Sequence, residues 1–170
     1  MRVLWWVLLV AVMVCGSGVH LNSADSCALT PAQKDATEAA VRKFVASVAT
    51  DINHDGPAAW RKEFADSPSF FMASEGLLVF PNSQAASQGI DILARTVKHI
   101  DLRWGDDLRV DPLTPNLAAV GASYHEIRDD TEGHHVDETG FFTGVAENRT
   151  GQWQFRDAHW SVVAPPAKVP

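Results

Sequence analysis

Gly151-Gln152-Trp153-Gln154-Phe155-Arg156-Asp157-Ala158-His159-Trp160-Ser161 follows Phe141-Phe142-Thr143-Gly144-Val145 across the turn-forming tetrad Asn148-Arg149-Thr150-Gly151. Two aromatic-bearing runs on either side of such a tetrad read as an antiparallel hairpin that closes a sheet. The same signature extends upstream. Arg103 to Val110, Leu117 to Asp129, His135 to Asn148 and Gln152 to Val163 read as four strands, separated by Asp111-Pro112, by Asp129-Asp130-Thr131-Glu132-Gly133 and by the tetrad. Strands joined by tight turns pair antiparallel, because a parallel return needs a crossover of a dozen residues or more.

The first half of the chain has a different period. Thr30-Pro31-Ala32-Gln33 starts a helix: Thr30 caps, Pro31 suits the first helical position and Gln33 completes a capping box. Val41, Phe44, Val45, Val48 and Ile52 then form one apolar stripe at helical spacing, which predicts a helix over residues 31–53. His54-Asp55-Gly56-Pro57 ends it and opens a short second helix, on which Trp60 and Phe64 lie four apart and share a face. Short strands are expected at Ser69 to Ala73 and Leu77 to Phe80, and a third helix through Ile90, Leu93, Ala94 and Val97 to about His99. Helices first and sheet afterwards is an α+β order, not an alternating one.

A chain of 170 residues, 46% apolar and 21% charged, is the size and composition of one globular domain. Its formal charge of −7, with no basic cluster, excludes a protein built to neutralise nucleic-acid phosphates. Residues 1–24 stand apart. Arg2 precedes 12 unbroken apolar residues, Val3 to Val14, with small and polar residues after them. Twelve helical residues reach about 18 Å, short of a hydrocarbon core of about 30 Å. The segment therefore reads as a signal peptide cleaved near residue 18 or 24, which predicts a secreted or periplasmic protein. An uncleaved anchor is the competing reading and the only expected contact with a membrane. Lipidation at Cys15 is disfavoured by Val14, where a lipobox carries a small residue. Cleavage would leave Cys27, in a linker over residues 25–29, as the sole thiol, so no intrachain disulfide supports the domain at 30–163. The proline-bearing tail, residues 164–170, is expected to be disordered.

The long helix, the Trp60/Phe64 helix, the Phe-rich hairpin at Ser69 to Phe80 and Gly89-Ile90 carry a resemblance. So do Gly140-Phe141-Phe142-Thr143 and Trp153-x-Phe155…His159-Trp160-Ser161. Over about residues 30–163 the chain resembles the nuclear transport factor 2-like superfamily, and within it the SnoaL-like group. The resemblance implies a cystatin-like cone: a curved antiparallel sheet wrapped by about three N-terminal helices, with a cavity at its open end. It also implies homodimers packed through the sheet face, and either binding modules or isomerases, cyclases and dehydratases of hydrophobic ring compounds. Fold leaves function open.

Strand alternation nominates residues for that cavity. On the last strand Trp153, Phe155, Asp157, His159 and Ser161 share a parity, a grouping that one bulge would shift. His159 is the favoured general acid or base, since imidazole titrates near neutrality. A structural, buried His159 is the alternative. His125 shares parity with Leu117, Ala119, Gly121 and Ser123 and is the second candidate. That choice sends Tyr124 and Glu126 outward, where Tyr124, Trp160 and Val162 could form an apolar protein-binding patch; the reverse assignment stays open. Glu138 shares parity with Gly140 and Phe142, and a carboxylate among apolar rings would have a raised pKa. Pairing with Arg128 or Arg103 at the sheet edge is its alternative role. Trp60, Phe64, Phe71, Trp104, Phe142 and Trp153 are the expected pocket-lining aromatics, around a small apolar ligand. His134-His135-Val136-Asp137-Glu138 offers metal-ligand residue types, but adjacent strand residues face opposite ways, so no metal site is expected. No phosphate loop, nucleophile elbow or Cys–His pair is present, and no cofactor is implied.

Overall fold

The structure is a computed structural model and describes residues 28–163; the apolar run of residues 3–14, both cysteines and the tail lie outside the described residues. Helix α1 spans Pro31–Asp55 and begins in the expected capping box, with Thr30 N donating to Gln33 Oε1 (2.9 Å) and Gln33 N to Thr30 Oγ1 (3.2 Å). Its stripe of Val41, Phe44, Val45, Val48 and Ile52 is buried. Gly56, at φ +70°, turns the chain out of α1 into a short 3-10 segment, Gly56–Ala59, and then the single-turn helix α2, Trp60–Glu63. Among the described residues no helix is long and apolar enough to cross a membrane.

Strands β1 (Phe71–Ser74) and β2 (Leu77–Phe80) form a hairpin through Glu75 and Gly76, both with positive φ. Helix α3 spans Ser83–Thr96. It starts earlier than the apolar spacing alone suggested, because Asn82 caps it by accepting from Ala85 N at 2.9 Å. It also stops sooner, at Thr96, and Val97 passes directly into β3, Val97–Trp104.

The expected strand from Arg103 to Val110 is therefore two strands. The chain breaks at Gly105, whose N–H donates to Ser123 O, and Asp107 accepts from both the N–H and the hydroxyl of Ser123. Strand β4 follows at Arg109–Thr114, then β5 at Leu117–Asp130, β6 at His135–Arg149 and β7 at Gln152–Val162. The curved, open sheet runs β2-β1-β7-β6-β5-β3, with β4 also paired to β5. Every pairing is antiparallel except β1 with β7. The fold is α+β, with three helices on a seven-stranded sheet among the described residues.

One irregularity controls the inner surface. Val145 pairs with Asp157 and Ala146 with Phe155, so Arg156 is an extra residue on β7. Beyond this bulge the alternation reverses: Phe155 and Ala158 are both buried, and Trp160 and Val162 follow Ala158 inward. Arg156 and His159 face out.

Candidate functional site

A cavity of about 490 Å³ opens between α2, α3, the β1–β2 hairpin and the concave face of β5–β7. Its apolar wall includes Trp60, Phe64, Phe80, Ile90 and Leu93, and Trp160 forms its floor. Trp160 meets Trp60 edge to face (5.7 Å between centroids, 84°) and Tyr124 likewise (4.8 Å, 86°). It also stacks on Trp104 (5.8 Å, 19°) and packs on Phe142 at 4.7 Å. Such offset and perpendicular arrangements are those favoured by ring quadrupoles, so the floor is a rigid aromatic unit.

One wall is polar. Tyr124, Glu126 and Arg128 alternate inward on β5, and Glu138 lies directly opposite Glu126 on β6. Arg128 Nη1 donates to Glu126 Oε1 at 2.7 Å. Burial raises the Glu126 pKa; the Arg128 charge opposes that rise and the facing Glu138 adds to it. The Tyr124 phenol is pushed up to about 12, mainly by burial, then by the negative charges of Glu138, Glu126 and Glu75. It stays protonated at any ordinary pH. Tyr124 has room because residue 140 is glycine: a Cβ there would lie 2.7 Å from the tyrosine ring and 2.0 Å from Ser161 O. At the mouth, Glu75 Oε1 accepts from Val162 N at 2.5 Å, tying the β1–β2 turn to the end of β7. This wall offers a protonated hydroxyl and carboxylates at one side of an apolar space, the parts needed to hold or move a proton on a bound molecule.

The structure brings together three of the residues nominated from sequence: Trp60, Phe64 and Glu138 all line the cavity. His159 is exposed on the convex face, opposite Thr143, because the Arg156 bulge reverses its parity. His125 is also on the convex face, with Nε2 2.7 Å from Asp137 Oδ1. The reverse assignment of β5 is the one observed: Tyr124 and Glu126 point inward, and the outward patch of Tyr124, Trp160 and Val162 becomes cavity lining.

Four nominated aromatics have other roles. Phe71 is 45% exposed on the short strand β1. Trp104 donates its indole N–H to Val45 O at 2.9 Å, tying β3 to α1 behind the floor. Phe142 is fully buried beneath Trp160. Trp153 borders a separate groove of about 300 Å³ beside Lys43, Asp51, Lys62 and Glu63. Asp130, Glu132 and His134 offer ligand atoms within 4.8 Å of one another at an exposed hairpin end. Hydrogen bonds within that turn account for their proximity: Asp130 Oδ1 accepts from the Glu132 and His134 N–H groups.

Tyr124, Glu126, Arg128 and Trp160 were the residues missed. The spacing Tyr124-x-Glu126-x-Arg128 already placed three polar groups on one strand face, and only the choice of face was in doubt. Trp160 depended on a bulge that no residue type announces.

No protein-family model matches the chain, and no curated protein sequence does. Solved structures do. A nuclear transport factor 2-like superfamily protein from Salmonella enterica serovar Typhimurium superposes with a TM-score of 0.66 at 13% identity, over 78% of this chain and 95% of that one. A type 2 hexachlorocyclohexane dehydrochlorinase, LinA, gives 0.62 at 13% identity, over 82% and 100%. A candidate scytalone dehydratase from Novosphingobium aromaticivorans gives 0.63 at 12%, over 80% and 93%. The chain has the nuclear transport factor 2-like fold.

Proposed function

We propose that this chain is an exported domain that holds a small, largely apolar molecule in its cone. The observation that carries the reading is the cavity of about 490 Å³, aromatic and aliphatic on most of its wall with a few convergent polar groups on one side. Pockets for small organic ligands have this size and this balance. The export part rests on Arg2 followed by the apolar run of residues 3–14.

Native mass spectrometry of the protein purified from the exported fraction tests both parts. The expected result is a chain trimmed near residue 18 or 24 that carries a discrete small-molecule adduct. Leu93→Trp, which fills the cavity from α3, should release the adduct without unfolding the protein. An adduct retained in that variant would place the ligand elsewhere.

A second reading, a proton-transferring enzyme, has its own support in Glu138 and the burial-raised Glu126 beside the protonated Tyr124. LinA and the scytalone dehydratase candidate, both named for elimination chemistry, share the fold at low identity. Here Glu138 is the base and Tyr124 the hydroxyl that stabilises charge on the substrate. Turnover of a ring substrate should then fall by about 10²–10⁴-fold in Glu138→Gln, the usual worth of a positioned general base. Undiminished turnover in that variant would remove Glu138 from the role.

A further inference from the structure

We infer that the molecule held in this cavity is apolar over most of its surface and carries a cationic nitrogen, an inference that rests on the pocket reading above. Four charged side chains line the cavity: Glu75, Glu126, Glu138 and Arg128. The single base is already committed, since Arg128 Nη1 bonds Glu126 Oε1 at 2.7 Å. An anionic ligand would have to displace that bond and enter past the remaining carboxylates. Glu75 is bonded only to an uncharged backbone N–H, which leaves its charge uncancelled.

Glu126 and Glu138 stand directly across from each other on β5 and β6. Like charges in that position destabilise a sheet. The Glu126 side chain is only 9% exposed, lines the cavity and is held by Arg128 through Oε1. Glu138 makes no hydrogen bond or ion pair with any described residue. The wall thus carries carboxylate charge that, among the described residues, only the Arg128–Glu126 ion pair offsets.

A neutral guest would not offset the surplus negative charge. A cationic nitrogen does, and Coulomb attraction at such a half-buried site is several times stronger than in bulk water. The aromatic floor fits the same guest. Trp60, Trp160 and Tyr124 converge beside the carboxylates, and indole and phenol rings attract cations over their faces within about 6 Å. Carboxylates adjoining Trp and Tyr rings are what alkylammonium recognition requires.

The test uses benzyltrimethylammonium and neopentylbenzene, which have the same shape and differ by a positive nitrogen in place of a carbon. Their affinities are measured by ligand-observed NMR for the full mature protein, for Glu138→Gln and for Leu93→Trp. The expected result is at least tenfold tighter binding of the cation, a preference largely lost in Glu138→Gln while neopentylbenzene binding is unchanged. Both probes should be lost in Leu93→Trp. Equal or tighter binding of neopentylbenzene, or a cation preference that survives in Glu138→Gln, overturns the cationic assignment and leaves the pocket reading standing. Binding of neither probe overturns both.

Discussion

Glu63 shows how one side chain can couple this fold to pH. It is buried at the end of α2, and its Oε1 accepts no hydrogen bond. Burial, followed by hydrogen bonding to Asp51 and its negative charge, pushes the Glu63 pKa up to about 7 from 4.5. The neutral acid can donate to Asp51, which Lys62 holds from the other side at 2.9 Å. A carboxyl whose folded pKa is raised stabilises the fold fully below its unfolded pKa and loses that contribution as pH rises through the folded value. Stability should therefore fall from about pH 4.5 to about pH 7.5 by up to about 3 kcal/mol and level off above that, and Glu63→Gln should remove most of this slope. Denaturant melts of the two proteins across that range check it; parallel slopes would exclude Glu63 as the source. Phe142 and Trp160 separate core from site at the same scale. Phe142 is wholly enclosed, so Phe142→Ala should cost about 3–5 kcal/mol by urea unfolding. Its effect on ligand would come through the floor it supports and not by contact.

Among elements, β7 carries the decisive feature. Its first half buries Phe155 and its second half presents Trp160 to the cavity, and the single extra residue Arg156 makes the two compatible. Deleting Arg156 would convert the bulge into simple alternation with every pairing to β6 kept, so Phe155 and Trp160 both still face inward and His159 outward. Ligand binding should therefore survive both in the deletion and in Arg156→Ala, which keeps the bulge; loss of binding in the deletion alone would show that the local twist at the bulge, and not side-chain parity, shapes the floor. Probe binding by the two variants makes the distinction. Helix α1 is fastened to the edge strand β3 in a comparably specific way. Asn53 Nδ2 donates to Leu102 O at 3.0 Å, and its Oδ1 accepts from Leu102 N at 2.7 Å, so the side-chain amide acts as one more strand partner. Asn53→Ala leaves both backbone groups of Leu102 without that partner and should cost about 1–3 kcal/mol.

For the whole molecule, the cavity makes stability depend on occupancy. A ligand that binds only the folded state raises stability by about 2.7 kcal/mol at a concentration one hundred times its dissociation constant. With benzyltrimethylammonium at that concentration the melting temperature should rise by several degrees, and the rise should vanish in Leu93→Trp. A rise that persists would place the binding site outside the cone. The exposed apolar side chains Leu77, Leu78 and Val79 lie on β2, an edge strand at the cavity mouth, with Ile92 of α3 nearby. The rim is thus apolar as well, which suits entry of a hydrophobic guest.

The helical stripe from Val41 to Ile52, the capping box at Thr30 and the long strands after Leu117 were legible from residue types, because local periodicity and capping chemistry depend on neighbours in sequence. So was the α+β order; the cone came from the family resemblance, and of the residues nominated for it Trp60, Phe64 and Glu138 line the cavity. Which face of β5 and β7 turned inward was not legible. A strand has two equivalent faces until something packs on one of them, and the choice belongs to α1, α3 and the bulge opposite Val145 and Ala146. That choice sent His125 and His159 to the convex surface and assembled Tyr124, Glu126, Arg128 and Trp160 around the cavity. The amino-acid order determined the elements, and packing across the sheet determined the site, because a one-residue shift in a pleated strand exchanges every side chain between its two faces.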